Sequence, residues 1–210
     1  MWNSPIVRMT TGLINTVNDA VIGGEAGISG ASKFAGQLGA PIWLDDRQLF
    51  FSTAIGTVYG GRFRYVRLAS GASAVVRGQI VFWDLSVADN LFQVTTSEAG
   101  SVPGAQLRAG LVLNPSWSAG NYSFIQDCGP TYMKFRATLT AVPAGVGTAV
   151  YCAAVGAGAD NGLADVLGTA DPTAFSDIAL TQNRYLGAAI ELPTNGGTKL
   201  VNLNLMNLRG

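Results

Sequence analysis

The chain has 210 residues, of which 48% are hydrophobic and only 12% are charged, against roughly 25% charged residues in ordinary soluble domains. Thirteen basic and thirteen acidic side chains give no net charge, so composition provides no reason to expect a nucleic acid, an anionic membrane or an acidic substrate. The absence of histidine excludes Ser-His-Asp and Cys-His catalysis as well as histidine-ligated zinc. Such a neutral surface indicates either that protein partners cover part of it or simply that the chain is rich in glycine and alanine.

Residues 1–45 differ from the rest of the chain because closely spaced glycines interrupt every periodic pattern. They predict an extended glycine-rich N-terminal arm that becomes ordered on a partner, with one short amphipathic helix at 12–20 capped by Thr11. No basic segment followed by an apolar stretch opens the chain, and the longest apolar run, 149–155, is far shorter than the roughly 20 residues of a membrane span. We therefore expect neither an export signal nor a membrane helix.

From about residue 48, runs of β-branched and aromatic residues alternate with Gly, Pro, Asn and Asp, as strands alternate with turns. No segment after residue 45 sustains a helical period. The pattern predicts a mainly β fold, an antiparallel barrel or sandwich over residues 46–210, built as one domain or as two small β subdomains. The predicted strands are 48–54, 62–69, 79–84, 91–96, 107–113, 122–127, 132–141, 148–155, 185–192 and 199–205.

The last predicted strand shows which residues share a face. Leu200, Asn202 and Asn204 share one side, while Val201 and Leu203 share the other. Neither side is wholly polar, which indicates one side in the core and the other against a further surface, although a two-layer barrel would give the same pattern. The Asn-Gly-Gly sequence before this strand predicts a hairpin turn.

Carboxylates remain as a route to acid–base or metal chemistry, but no pattern among them is specific. The adjacent pair at 45–46 points to opposite faces of an extended chain, so a solvated turn is the simpler interpretation. Asp160, Asp165 and Asp171 offer oxygen ligands for calcium, yet their spacing in an Ala- and Gly-rich segment matches no calcium loop. The sequence therefore assigns no catalytic residue, no metal ligand and no cofactor.

Two glycine-containing segments bear a superficial likeness to nucleotide-binding loops. Gly27, Gly30 and Lys33 lack the Gly-Lys-Ser/Thr ending of a phosphate loop, and no strand precedes them. The glycines in 156–158 are misplaced for a dinucleotide fingerprint, and no helix follows them. We interpret the first set as part of the arm and the second as chance in a glycine-rich chain.

The segment 62–67 interleaves basic and aromatic residues, as single-strand nucleic-acid platforms do. Alternation places Arg62 and Arg64 on one face and Phe63 and Tyr65 on the other, so stacking and phosphate contacts would not come from the same face. We expect core aromatics beneath a basic outer strip that forms ion pairs at the surface or between subunits, and no nucleic-acid partner.

Tryptophans and cysteines are the remaining candidates for a binding site. Trp43, Trp83 and Trp117 offer rings for a sugar site, although isolated tryptophans in β-proteins more often anchor a core or an interface. Cys128 and Cys152 are too few and too far apart in sequence for a disulfide framework or a metal clip, so buried free thiols are expected.

Short strand-plus-glycine motifs recur in order along residues 55–205. They are 55–58 (IGTV), 61–66 (GRFRYV), 76–81 (VRGQIV), 120–126 (GNYSFIQ) with Gly129, and 185–190 (YLGAAI). In this order, and with nothing catalytic among them, they resemble the small β-barrel decoration, or cement, proteins of tailed-bacteriophage capsids. The arm at 1–45 departs from the pattern of that family.

The resemblance implies a non-catalytic structural protein of the virion that decorates and stabilises an icosahedral capsid by bridging capsid subunits. It implies the major capsid protein and further copies of this chain as partners, a place on the capsid exterior, and the host cytoplasm as the location during assembly. Such a role requires contact area and not chemistry, and an arm ordered only on binding covers a large surface.

Two other classes of function stay open. A receptor- or carbohydrate-binding β-domain of a viral fibre is favoured if the tryptophans line an exposed cleft. A hydrolase is favoured only if several carboxylates converge in a pocket.

Overall fold

The computed structural model describes residues 39, 41–44, 59–84, 93–96, 108–153, 162–166 and 185–205. Every regular element within these ranges is a β-strand, which confirms the predicted mainly β class. The same ranges contain no helix that is long and apolar enough to cross a membrane. The strands are β1 (Pro41–Leu44), β2 (Gly61–Leu68), β3 (Val75–Val76), β4 (Ile80–Trp83), β5 (Gln93–Thr95), β6 (Arg108–Val112), β7 (Ser116–Trp117), β8 (Tyr122–Lys134), β9 (Ala149–Cys152), β10 (Ala164–Asp165), β11 (Tyr185–Ala189) and β12 (Thr198–Asn204).

Five of the strands close into a first ring in the order β2, β5, β4, β6 and β8, because β8 pairs again with β2. The pairs in this ring are antiparallel except β2 with β5. Closure pairs backbone groups that an open sheet would leave at its edges. One apolar cluster draws side chains from all five strands and so forms the core of the ring: Val66, Leu68, Val75, Val81, Val94, Ala109, Val112, Trp117 and Ile125.

A second ring grows from the other half of β8, which pairs with β12, followed by β11, β9 and β10. Phe135, directly after β8, bridges to Ala164 of β10 and brings the two ends of this sheet together. Its core is a second apolar cluster, which includes Met133, Phe135, Val150, Cys152, Ala164, Val166, Leu186, Ala189, Val201, Leu203 and Leu205.

The two rings share apolar contacts as well as β8. On β4, Val81 belongs to the first core, while its neighbours Ile80 and Phe82 belong to the second. Leu111 of β6 also packs into the second core. Successive side chains of a strand point to opposite faces, so β4 lies between the two cores and contributes to both.

Strand β8 corrects one sequence prediction. The Cys-Gly-Pro-Thr stretch at 128–131 was expected to separate strands 122–127 and 132–141, but one strand runs from Tyr122 to Lys134 and the chain after Phe135 leaves the sheet. Gly129 adopts a φ of 105°, and a Cβ there would lie 2.6 Å from the carbonyl oxygen of Gly60. This glycine therefore allows β8 to continue where β2 approaches most closely.

The other predicted strands that fall in the described ranges match observed strands to within a few residues. Pro41–Leu44, assigned to the arm, instead form β1 and pair with β2, so the sheet begins earlier than expected. The hairpin predicted before the last strand is confirmed by the antiparallel pairing of β11 with β12. The predicted strand 48–54 and the remaining residues of the arm, other than Gly39, lie outside the described residues.

Candidate interaction site

The basic residues of β2 form ion pairs within the chain. The Nε atoms of Arg62 and Arg64 each donate to a different oxygen of the Asp127 carboxylate, both at 2.7 Å. Asp127 is 2% exposed, so its charge is matched by guanidinium groups and not by water. Phe63 and Tyr65 on the opposite face are buried, as predicted. The ion pairs of Arg62 and Arg64 in the basic strip form with a residue of the same chain.

The register between β2 and β8 explains how one carboxylate reaches two arginines on the same strand. From Phe63 to Arg67 the two strands keep one register, with Phe63 opposite Gln126. Continuing that register places Asp127 opposite Arg62 and on the same face as Arg64. The register shifts only at Arg62, which pairs with Cys128, so Asp127 is an extra residue in β8 and forms a bulge.

The three tryptophans do not line one cleft. Trp117 is fully buried in the first core, and its Nε1 donates to the carbonyl oxygen of Asn121 at 3.1 Å. Trp83 is half-buried against the same cluster. Only Trp43, on β1, is exposed (58%), with the Arg62 guanidinium 5.9 Å from its ring. This separation does not favour the sugar-site interpretation.

Asp165 is the one candidate calcium ligand in the described residues, and its carboxylate is already occupied. It is 1% exposed. Its Oδ1 accepts from the backbone amides of Thr140 at 2.9 Å and Val166 at 2.8 Å. Its Oδ2 accepts from the Thr140 hydroxyl at 2.5 Å and from Arg136 Nη1 at 3.1 Å. These four hydrogen bonds, which we call the Asp165 latch, hold the chain in place at Thr140.

The other residues that the sequence offered for a metal, catalytic or nucleotide site lie outside the described residues. They are Asp160, Asp171, the pair at 45–46 and the glycine segments at 27–33 and 156–158. Within the ranges that the structure describes, no three His, Cys, Asp or Glu side chains come together as metal ligands. Both cysteines there are free thiols, Cys152 buried and Cys128 partly so.

Four of the exposed large apolar side chains in the described residues, including the two most exposed, lie on two adjacent loops, 137–148 and 190–197, which we call the loop end. Val142 is 92% exposed and Val146 is 73% exposed, and Ile190 and Leu192 are exposed on the second loop. An open groove of about 380 Å³ lies between the loops, lined by residues 139–143 and 193–195. Apolar side chains grouped together on a surface are a common mark of a protein-contact site, whereas single exposed ones are ordinary.

Hydrogen bonds hold the two loops together. The amide of Leu139 donates to Asn195 Oδ1 at 3.0 Å, and the amide of Gly196 donates to the Arg136 carbonyl oxygen at 2.7 Å. The Asp165 latch fixes the first loop at Thr140. The loop end contains a single charged side chain, Glu191, whose Oε2 accepts from the amide of Leu200 at 3.1 Å.

A second surface is the side of β8, β12, β11 and β9 that faces away from the second core, which we call the outer face. Val201 and Leu203 are buried while Asn202 and Asn204 are exposed, which confirms the predicted division of the last strand. The register aligns one residue from each strand into a central row of Pro130, Asn202, Ala188 and Ala149. Flanking positions are Tyr132, Leu200, Asn204, Tyr151 and Tyr185.

Tyrosines border the central row on both sides. Tyr151 and Tyr185 meet edge to face at 5.7 Å between ring centroids, and Tyr132 lies 6.1 Å from the ring of Tyr59. A hydrogen bond with Tyr59 raises the pKa of Tyr132, and burial raises the pKa of Tyr151. Both hydroxyls therefore stay neutral at pH 7. On β8, the charged side chain that borders the outer face is Lys134, at the end of the strand.

Sequence reasoning anticipated the outer face only through its last strand. It predicted the turn before that strand, but not that this turn lies against residues 137–148 and forms the loop end with them. Residues 132–141 contain enough β-branched and apolar residues to predict a strand, so Leu139 and Ala141 were assigned to it. The signal that could have revealed the loop was the absence of charge over the whole segment 137–148, together with its one proline, three alanines and two glycines. Asp127 carried no signal, because the bulge depends on pairing between distant strands.

A scan against protein-family models finds no matching family, and a search of curated proteins finds no match.

Replacing Asp165 with asparagine is expected to loosen the loop end. An amide keeps one acceptor oxygen but loses the charge that pairs with Arg136, so at least one of the four donors to Asp165 loses its partner. Hydrogen exchange measured by mass spectrometry should show peptides spanning 137–148 exchanging at least about tenfold faster, the equivalent of roughly 1.4 kcal/mol.

Thr140→Ser is the matched control because serine keeps both the hydroxyl and the amide that contact Asp165. Its exchange in 137–148 should equal that of the unmodified chain, and peptides from β2 should be unchanged in both variants. Unaltered exchange in Asp165→Asn would show that the latch does not hold the loop.

Proposed function

We propose that this chain is a structural protein of a virus particle that decorates and stabilises an icosahedral capsid by bridging capsid subunits. The observation that carries the proposal is the loop end, where Val142, Val146, Ile190 and Leu192 are presented to water with one charged neighbour. Burying these side chains against another protein would gain roughly 1.5–3 kcal/mol for each one fully covered. The sequence resemblance to capsid decoration proteins supplies the class of partner, the major capsid protein.

The charge of the surface supports a protein partner. Phosphate-driven binding requires clustered Lys and Arg, and none lies in the segments 137–148 and 190–197. An anionic membrane would likewise attract basic side chains that these loops lack. The partner surface that suits the loop end is an uncharged protein surface, because a charge on the partner would be buried there without an opposite charge.

The way the loop end is held also supports a contact role. Exposed loops that must become ordered on binding lose part of their binding energy to that ordering. Here the Asp165 latch and the bond from Leu139 to Asn195 fix both loops before a partner arrives. The loop end therefore loses little binding energy to the ordering of its loops when a partner binds.

The proposed role includes no catalysis and no cofactor. The chain has no histidine, and the buried carboxylates of Asp127 and Asp165 are committed to arginines and backbone amides. The receptor- or carbohydrate-binding alternative relies on tryptophans lining a cleft, and the burial of Trp117 leaves Trp43 as the exposed ring of the three. In the proposed role the chain lies on the capsid exterior in the virus particle, and in the host cytoplasm while the particle is assembled.

Co-sedimentation with capsids that lack this chain tests the proposal. The purified protein should bind saturably, and its affinity should change little between about 0.1 and 1 M salt because the contact is apolar and hydrogen-bonded. The double variant Val142→Asp/Val146→Asp should bind at least about 100-fold more weakly, since two charges would enter a dry contact.

Ser70→Asp is the control, because Ser70 is also exposed and lies beyond the opposite end of β8 from the loop end. It should bind as the unmodified chain does. Absence of saturable binding, or binding that vanishes in moderate salt, would reject the capsid role. Equal loss of binding in Ser70→Asp and the double variant would reject the loop end as the contact.

A further inference from the structure

We infer that Asn195 is a site of spontaneous deamidation, and that the hydrogen bonds between the two loops of the loop end control how fast it reacts. The reaction changes the chain itself and needs no capsid partner, so it is independent of the proposed function. Asn195 and Gly196 form an Asn-Gly pair in the loop 190–197, and both make hydrogen bonds with residues 136–139.

The reaction joins the backbone of Gly196 to the side chain of Asn195. The amide nitrogen of Gly196 loses its proton to a base in the solvent and attacks Cγ of Asn195. A bond forms between that nitrogen and Cγ, the bond from Cγ to Nδ2 breaks, and Nδ2 leaves as ammonia. Water then opens the resulting cyclic imide at either of its two carbonyl carbons, which gives aspartate or isoaspartate. The reaction therefore requires neither an enzyme nor an oxidant.

The turn before β12 explains why glycine follows Asn195. The amide of Gly197 donates to the Thr194 carbonyl oxygen at 3.1 Å, so Asn195 and Gly196 are the two central residues of the turn. Gly196 adopts a φ of 64°, which glycine reaches without strain. Glycine also lacks a side chain that would hinder the attack, and both central residues are exposed to water. The turn that joins β11 to β12 thus places a reactive pair at the surface.

Two hydrogen bonds between the loops occupy the reacting groups in the folded chain. The attacking nitrogen, that of Gly196, donates to the Arg136 carbonyl oxygen at 2.7 Å. Oδ1 of Asn195, bonded to the carbon under attack, accepts from the amide of Leu139 at 3.0 Å. The nitrogen must lose its proton and the side-chain amide must turn toward it, so both hydrogen bonds must break before the ring closes. The folded loop end therefore slows deamidation, and separation of the loops frees both groups together.

The Asp165 latch determines how often the loops separate. It holds Thr140, which follows Leu139, through both the amide and the hydroxyl. A reaction that requires the open state proceeds in proportion to the population of that state, as hydrogen exchange does. Deamidation at Asn195 therefore records the same opening as exchange in 137–148, but as a covalent change that accumulates.

Deamidation adds a negative charge to the groove that Asn195 lines. Aspartate keeps an oxygen that can accept from the Leu139 amide, whereas isoaspartate lengthens the backbone by one methylene group and displaces the amide of Gly196 from Arg136. Either product places a second charge beside that of Glu191 in the loop end. On the proposed function, on which this consequence rests, a deamidated chain binds the capsid more weakly.

Incubation of the purified full chain at mildly alkaline pH, followed by tryptic digestion and mass spectrometry, tests the inference. Peptide 185–199 contains Asn195 as its one asparagine, while the other Asn-Gly pair, at 161–162, falls in peptide 137–184. The gain in mass from amide to acid in peptide 185–199 should be at least about 30-fold slower in the folded chain than in urea. Asp165→Asn should speed it in the folded chain by about tenfold, the factor expected for hydrogen exchange.

Thr140→Ser should deamidate at the rate of the unmodified chain. Peptide 200–209 is an internal control, because each of its three asparagines precedes a leucine, whose side chain hinders the attack, so its mass should not change over the same time. A peptide 185–199 that stays unchanged in urea would overturn Asn195 as the site. Equal rates in urea and in the folded chain, or in Asp165→Asn and the unmodified chain, would overturn control by the loop contact.

Co-sedimentation of fresh and deamidated chain with capsids separates this inference from the proposed function. The deamidated chain should bind at least about tenfold more weakly. Equal binding of the two forms would overturn the consequence for the contact. Failure of the fresh chain to bind would reject the proposed function and leave the modification of Asn195 in place.

Discussion

Asp127→Asn is expected to lower the free energy of unfolding by about 3–5 kcal/mol, the usual cost of removing one member of a buried ion pair. The guanidinium groups of Arg62 and Arg64 would lose the carboxylate that both contact at 2.7 Å, and their side chains are only 14% and 23% exposed. Water can therefore replace only part of what the carboxylate provides. Urea unfolding followed by far-ultraviolet circular dichroism measures the change.

Arg67→Gln is the matched control on the same strand. Arg67 donates to the Gly120 carbonyl oxygen at 3.2 Å and lies over the ring of Tyr122 at 5.9 Å, and neither contact involves a carboxylate. Its replacement should cost less than about 1 kcal/mol. If Asp127→Asn were no more costly than this control, the ion triad would not be a principal support of the fold.

Gly61→Ala is expected to cost at least about 3 kcal/mol or to prevent folding, because the added methyl group has no room. A Cβ at Gly61 would lie 2.1 Å from the carbonyl oxygen of Cys128 and 2.7 Å from Gln126 Nε2. The first of these is a backbone atom in the ladder that joins β2 to β8, so relief requires the two strands to separate. Thermal unfolding by calorimetry and the yield of soluble protein report the effect.

Gly71→Ala isolates the steric cause. Gly71 follows the same strand, but a Cβ there would meet nothing within 4 Å. Its replacement should change stability by no more than about 1 kcal/mol, with a gain expected if the unfolded chain loses entropy. Equal effects of the two substitutions would mean that position 61 requires glycine for its flexibility and not because β2 and β8 approach closely there.

Both predictions concern β8, and β8 also connects the two candidate surfaces. The first half of the strand completes the first ring, and its second half carries Pro130 and Tyr132 on the outer face before the chain enters the loop end. A loss of pairing at Asp127 or Gly61 would therefore disturb the contact surfaces as well as the core. For this reason the capsid-binding variant proposed above, Val142→Asp/Val146→Asp, lies at exposed positions, where effects on folding and on contact can be separated.

The amino-acid sequence by itself determined the class of the fold and much of its strand pattern. Alternation in 62–67 predicted buried Phe63 and Tyr65. Alternation in 199–205 predicted that Val201 and Leu203 share one face, and the structure shows that this face is the buried one. These predictions held because side chains of a strand alternate at every residue, a property set by local backbone geometry. The glycines before the last strand predicted its hairpin for a similarly local reason.

Tertiary structure alone decided the features that depend on pairing between distant residues. The sequence offered no means of seeing that β8 bulges at Asp127, that Arg62 and Arg64 would both meet its carboxylate, or that Gly129 would let one strand pass through a Cys-Gly-Pro stretch. Whether Val142 is buried or exposed likewise depends on what lies opposite it. Local propensity describes one segment at a time, whereas register, ring closure and exposure are set by the long-range contacts that β8 makes with β2 and β12.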